Sequence, residues 1–255
     1  MKSFEDIKTK PTFPELMLDK AINGAILHQA TKTNPTLSPS CLGCQRAAAF
    51  KLSGTLGRDE IETYESNLAA EMGVFIHERL QKFMSASPIW VDVKQYISQH
   101  PELNLMLAPK QKHAGEVSLI FSGSRNGMNL PPFSFQCDGI VNIDNEYFIV
   151  EIKSESESAW QARVAPNPKH SAQAVSYAFL YGIPRILWIY ASRESFGTRR
   201  KIYRQDIDER LIAPFIKNVD AIGKAVKNGS IQSLSKVKDC RYCAFLDECR
   251  KLDNK

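Results

Sequence analysis

The chain has 255 residues, enough for one large domain or two small ones, and its 43% hydrophobic and 24% charged residues suit a globular protein with a sizeable core. No apolar run nears the roughly 18 residues of a membrane helix, and Met1-Lys2-Ser3-Phe4-Glu5-Asp6 lacks the apolar core of a signal peptide; no membrane partner and a cytoplasmic location are expected. A net charge of +5 is compatible with an anionic partner without demanding one.

Residues 13–30 carry apolar side chains at helical spacing, and 67–84 form a second, strong helical pattern. Residues 90–112 read as short helices broken around Pro101 and Pro109. Strands follow at 116–122, 133–143 and 147–153, joined by a Gly/Asn-rich loop at 122–129 and a tight Asp144-Asn145 turn. Asn167-Pro168 starts a helix that Gly182 stops. The apolar run 185–192 reads as a strand buried on both faces, with 200–204 placed to pair with it. Residues 206–228 form a long amphipathic helix, and the tail carries the last three cysteines. Helices, a three-strand meander, then a helix crossing to another strand imply an α/β fold with a mixed sheet flanked by helices. The chain is read as a single domain: a mainly helical part at 1–112, a core at 113–205, and a C-terminal helix with its cysteine tail at 206–255.

The hairpin around Asp144-Asn145 carries the chemistry. A two-residue turn there pairs Ile143 with Glu146, and the same register carried inward sets Asp138 opposite Glu151. Lys153, two residues past Glu151, shares its face. Phe133, Phe135, Cys137, Val141, Ile143, Phe148, Val150 and Ile152 are left on the other side as a core face, where Cys137 is a small buried hydrophobe. Opposed carboxylates about 5 Å apart repel, and a hard divalent cation is the natural compensation. An ordinary solvated hairpin face would hold the same residue types.

Asp138, twelve intervening residues, then Glu151-Ile152-Lys153 resembles the active-site signature of the PD-(D/E)XK nuclease superfamily, with Cys137 where a proline is usual. In the following helix His170, Gln173 and Tyr177 share one face. Gln173-x-x-x-Tyr177 resembles the QxxxY motif of the RecB-like branch, which includes CRISPR-associated and phage recombination exonucleases. Gly73-Val-Phe-Ile-His77 resembles that branch's histidine motif. The resemblance implies a restriction-endonuclease-like sheet and hydrolysis of phosphodiester bonds at DNA ends, in recombination, repair or phage genome processing. It also implies that Asp138, Glu151, the carbonyl of Ile152 and His77 hold Mg²⁺ or Mn²⁺. Lys153 would then position or deprotonate the attacking water, and Gln173 and Tyr177 would orient the Lys153 region or the scissile phosphate.

The remaining cysteines cluster at the chain ends. Cys240-x-x-Cys243, five residues, then Cys249 is one thiol short of a tetrahedral set, and Cys41 or Cys44 can complete it. One N-terminal cysteine plus this tail resembles the iron–sulfur staple of the RecB-like exonucleases. Ser38-Pro39-Ser40 and Cys44-Gln45-Arg46 resemble the family's stretches there and favour Cys44, with Cys41 as the alternative. A [4Fe-4S] cluster is implied, and a structural Zn²⁺ is the alternative that four thiolates equally allow.

Three further signals are weaker. Arg193, Arg199, Arg200, Lys201 and Arg204 read as a solvated surface or a path for a phosphate backbone. Glu116 is an extra carboxylate ranked below His77. Trp160 is expected to pack on the sheet rather than stack on a base. A non-catalytic DNA-binding or scaffold subunit retaining fold and cluster is the rival reading, which the complete Asp/Glu/Lys/His set argues against.

Overall fold

The computed structural model describes residues 13–30, 35–109, 116–125, 127–237, 240 and 243–254. The N-terminal hexapeptide, residues 110–112 of the third predicted segment and Asn126 of the predicted loop lie outside the described residues.

The first predicted helix is shorter than its pattern: α1 (Phe13–Ile22) ends before β1 (Ile26–His28), which pairs with β2 (Glu60–Glu62). Between them lies α2 (Gln45–Leu52). The 67–84 pattern becomes α3 (Tyr64–Ser85), capped where Thr63 Oγ1 accepts the Ser66 N–H and Ser66 Oγ accepts that of Thr63. Residues 90–109 hold more than helices. Two short strands, β3 (Trp90–Val91) and β4 (Leu105–Leu107), bracket α4 (Val93–Gln99).

The hairpin β5 (Leu119–Arg125) and β6 (Met128–Phe135) joins β4 in a three-stranded antiparallel sheet. The predicted 122–129 loop is mostly paired strand, closed tightly with Gly127 at φ +74°. The predicted strand 133–143 is two strands. The chain leaves the smaller sheet after Phe135, crosses at Gln136-Cys137-Asp138, and enters the central sheet as β7 (Gly139–Ile143).

The turn to β8 (Glu146–Glu155) has Asp144 at φ +53° and Asn145 at φ +64°, the paired positive values of a type I′ turn. The ladder runs from Ile143 opposite Glu146 to Gly139 opposite Val150, in the predicted register. After α5 (Glu157–Ala162), Asn167 caps a short 3₁₀ turn that leads into α6 (Ser171–Tyr181), ended by Gly182 at φ +67°. Then β9 (Arg185–Ser192) pairs parallel to β8, and β10 (Arg200–Asp206) antiparallel to β9. The central sheet is therefore mixed, in the order β10-β9-β8-β7-β3, with helices α7 (Glu209–Lys227) and α8 (Leu246–Asp253) completing the chain.

Both faces of this sheet are buried, which corrects the single core face expected for the hairpin. Phe133, Phe135 and Cys137 join Ile140, Ile149, Trp188 and Tyr190 in the larger cluster, together with α6 and α7 side chains. Val141, Phe148, Val150, Ile152 and Ile189 form the other, against Leu80 and Met84 of α3. The crossing at 136–138 breaks strand alternation, so parity counted from Phe133 does not carry through to Val141. Helix α3 lies close on β8 because Gly73 has no side chain: a Cβ there would sit 3.1 Å from Ser154 Oγ.

Candidate active site

The crossing between sheets leaves Asp138 just ahead of β7, beside Glu151 and Lys153 of β8. Helix α3 contributes His77 and Gln81, the segment before β5 contributes Glu116, and α6 contributes Gln173 and Tyr177. A cleft of about 810 Å³ is lined by His77, Gln81, Glu116, Asp138, Glu151 and Tyr177 among others. Among the described residues, His77, Glu116 and Asp138 offer three ligand atoms all within 4.8 Å of one another.

Each carboxylate is held by specific donors. Asp138 Oδ2 accepts the Ile152 N–H at 2.5 Å, and its Oδ1 lies 3.3 Å from His77 Nδ1. Gln81 Nε2 spans Glu116 Oε1 at 3.2 Å and the Asp138 carbonyl at 3.0 Å, while Gln136 Nε2 donates to the other Glu116 oxygen. Lys153 Nζ and Gln173 Nε2 both donate to Glu151 Oε1 at 2.6 Å. Glu151 Oε2, fully buried, has no protein partner.

Asp138 and Glu151 are 6% and 4% exposed, so their charges are poorly screened. Burial, then the charge of Asp138, pushes the Glu151 carboxyl up to about 7 against the pull of Lys153 and His77. Burial lowers His77, but the Asp138 hydrogen bond and the carboxylate charges outweigh it and hold the imidazole above its ordinary value. Three acidic side chains, Glu116, Asp138 and Glu151, meet here with Lys153 and His77. A divalent ion fits this donor set: carboxylate and imidazole atoms converging on one point, with a bare carboxylate oxygen alongside.

The structure brings Asp138, Glu151, Lys153, His77, Gln173 and Tyr177 together. Tyr177 OH donates to the Gln136 carbonyl at 2.7 Å and accepts from Gln173 at 3.1 Å. The N–H of Ile152 is committed to Asp138. Glu116, ranked below His77 on sequence, stands with it in the same trio. Sequence reasoning missed Gln81 and Gln136, which fasten Glu116. Gln81 was open to discovery, lying one helical turn beyond His77.

Cys137 is buried and pushed up to about 12, mainly by burial, in keeping with a core residue. Near the C-terminus, burial and then the charges of Cys243, Cys44 and Cys249 raise the Cys240 thiol, so Cys44 lies within electrostatic reach of Cys240. Cys41 Sγ instead accepts the Ser38 N–H at 3.4 Å. Arg46 ties the tail to α2, donating to Leu234 O at 2.9 Å, to Asp253 at 2.6 Å and to Cys249 Sγ at 3.6 Å.

Trp160 packs on the sheet, its Nε1 donating to Tyr190 O at 3.0 Å while Arg199 and Lys201 cover its ring. Much of the basic run is engaged in the fold: Arg199 pairs with Glu157, Arg204 with Asp206, and Lys201 donates to the carbonyls of Gln161 and Arg163.

No protein-family model and no curated protein matches the chain. Among solved structures it is similar to the crystal structure of SSO0001, at 16% identity and TM-score 0.49, covering 94% of this chain and 98% of that one. It is also similar to an alkaline exonuclease (LHK-Exo) from Laribacter hongkongensis, at 16% identity and TM-score 0.39, covering 78% and 91%. The complex of LHK-Exo with dAMP gives 14% identity, TM-score 0.46 and the same coverages. No helix among the described residues is long and apolar enough to cross a membrane.

Proposed function

We propose that the chain is a metal-dependent deoxyribonuclease of the PD-(D/E)XK superfamily, RecB-like branch, acting as an exonuclease on DNA ends. The observation that carries this reading is Glu151 Oε2: a carboxylate oxygen fully buried without a protein partner, beside the His77, Glu116 and Asp138 trio. A buried unpaired carboxylate oxygen is costly, and a cation removes that cost. Asp138, Glu151, His77 and the carbonyl of Ile152 would hold Mg²⁺ or Mn²⁺, and Glu116 is added to that set. The ion supplies Lewis acidity toward a phosphodiester oxygen and makes hydroxide accessible at neutral pH.

The chain's own groups do the rest. Lys153, tethered to Glu151 Oε1, positions the attacking water and offsets charge developing on the phosphate. Gln173 fixes the carboxylate plane of Glu151 through the same oxygen, and Tyr177 fixes Gln173. Burial of both carboxylates keeps bulk water from competing with substrate and strengthens each electrostatic contact.

Cys44, Cys240, Cys243 and Cys249 would hold a [4Fe-4S] cluster with a structural role, with Zn²⁺ as the alternative. Cys44 lies within electrostatic reach of Cys240, which supports Cys44 over Cys41. A nuclease assay tests the whole reading: end-labelled single- and double-stranded DNA with Mn²⁺ should be shortened from an end. Absence of any cleavage by folded, metal-loaded protein would leave the rival, a DNA-binding subunit.

A further inference from the structure

His170, predicted to share a face with Gln173 and Tyr177, instead closes the 3₁₀ turn ahead of α6 and has no part in the reading above. The parallel ladder sets Trp188 beside Glu151 and Tyr190 beside Lys153. His170 stacks on both rings, its centroid 5.4 Å from that of Trp188 and 6.1 Å from that of Tyr190. Paired residues of neighbouring strands share a face, so the imidazole lies over the face that carries Glu151 and Lys153. One helical turn later, Gln173 contacts Glu151 at 2.6 Å.

A chain of hydrogen bonds runs from Asn167 through the Tyr190 hydroxyl to the imidazole. The Asn167 N–H donates to the Tyr190 hydroxyl at 2.9 Å, which leaves that hydroxyl's own proton for His170 Nδ1, 3.1 Å away. In the tautomer that takes this proton at Nδ1, Nε2 carries the ring hydrogen. Burial, followed by the charges of Lys153 and Arg163, lowers the imidazole to about 4, so the neutral ring is present at pH 7. Among the described residues nothing accepts from Nε2, and the ring is only half-buried.

We infer that His170 is a substrate-binding residue, a neutral Nε2–H donor to a non-bridging oxygen of a DNA phosphate bordering Lys153. This rests on the nuclease reading and adds a contact to it. A phosphodiester fits the chemistry: an anion with directional acceptor oxygens, drawn to a sheet face that carries an ammonium and whose charge reaches the imidazole over it. A neutral donor selects oxygen geometry without adding charge beside the cation site. The competing role is a packing residue that joins α6 to β9 through its stacking alone.

Three variants separate these roles under single-turnover conditions with Mn²⁺. His170→Phe keeps a flat ring on Trp188 and Tyr190 but removes the donor, and should cleave about 10- to 100-fold more slowly, the cost of one hydrogen bond to a charged group. His170→Gln places an amide N–H near the position of Nε2 and should stay within about 3-fold of the parent. His170→Asn places it near Nδ1 and should fall with His170→Phe. A scan of single methylphosphonate linkages should find one position that slows the parent protein and leaves His170→Phe no slower than before. Parent-rate cleavage by His170→Phe, or an equal response of both proteins at every linkage, reduces His170 to packing while leaving the nuclease reading standing. If His170→Phe fails to fold, the Gln and Asn variants decide: equal rates overturn the inference. Failure of the parent itself to cleave overturns both readings.

Discussion

Gln173 Nε2 donates to Oε1 of Glu151 at 2.6 Å, the same oxygen that Lys153 occupies, and so leaves Oε2 buried without a partner. The QxxxY helix thus acts on the site through Glu151. Gln173→Ala should leave the fold intact and slow cleavage by about 10- to 100-fold, with partial recovery at high Mn²⁺, since a loosened ligand weakens ion binding first. Tyr177→Phe should be milder in rate but less stable by about 1 kcal/mol, because it removes the donor to Gln136 O. Steady-state kinetics against Mn²⁺ concentration measure both. An unchanged metal dependence in Gln173→Ala would count against this coupling.

The ligand variants should divide by what else each side chain does. Glu151→Ala should abolish cleavage without weakening DNA binding, because it deletes an anion beside a phosphate. Asp138→Ala should also abolish cleavage, but it leaves the buried Ile152 N–H without its acceptor and costs about 1–3 kcal/mol, whereas Asp138→Asn spares most of that. Lys153→Ala should retain the ion and lose roughly 10²–10³-fold in rate. His77→Ala and Glu116→Ala should be intermediate and rescued in part by Mn²⁺. Isothermal titration with Mn²⁺, read beside cleavage rates and melting curves, distinguishes these patterns.

The metal-free protein should show the strain of its carboxylates as a pH dependence. The folded state holds the Glu151 carboxyl near 7, above its ordinary 4.5, so folding favours the protonated form. That contribution is fully present below about 4.5 and is lost as pH rises through about 7, on the order of 3 kcal/mol in all. In the presence of chelator, Glu151→Gln should therefore gain on the parent between pH 4.5 and 7 in denaturant melts. Mn²⁺ should abolish the difference, since it stabilises the ionised form. A pH-independent gap between the two proteins would show that Glu151 is not strained.

The hairpin was legible in the sequence because a two-residue turn and a period of two determine register from Ile143 and Glu146 down to Gly139 and Val150. The strand Arg185–Ser192 was equally legible, since a continuous apolar run implies burial on both faces. What escaped was non-local. Nothing in Gln136-Cys137-Asp138 announces a crossing between sheets, and the strand β4, only three residues long, pairs with the next strand, β5, leaving little pattern to read. Glu116 is an unremarkable acid until Gln81 and Gln136, far from it in sequence, hold it in the cleft.

Gly139 opens β7 immediately after Asp138, and the Trp90 ring lies where its side chain would be. A Cβ would sit 2.3 Å from the Trp90 indole, against 3.1 Å from Ser154 Oγ for one added at Gly73. Gly139→Ala should cost about 1–3 kcal/mol, since the Trp90 ring of β3 must shift before a Cβ fits. Gly73→Ala should cost less and act instead on metal affinity, by lifting α3 and His77 from β8. Paired denaturant melts and Mn²⁺ titrations test the contrast. Equal destabilisation by the two alanines would mean that Trp90 moves more readily than its packing suggests.

The thiols offer the sharpest test of the cofactor. Cys44 is an electrostatic neighbour of Cys240 together with Cys243 and Cys249, while Cys41 is turned toward the Ser38 N–H. Anaerobically purified protein should be brown, and Cys44→Ala should lose colour, iron and sulfide as fully as Cys243→Ala. Cys41→Ala should keep all three, and the reverse order would make Cys41 the ligand. Colourless parent protein with about one zinc per chain would replace the cluster by a structural zinc and leave the nuclease site untouched. Loss of the cluster should not free the tail at once, because Arg46 still holds Leu234 O, Gln232 O and Asp253. Each tie alone should therefore be worth a modest shift in melting temperature, and their joint loss more than the sum. Cys243→Ala, Arg46→Ala and the double variant form that cycle. Strict additivity would mean that the cluster and the arginine do not clamp the same junction.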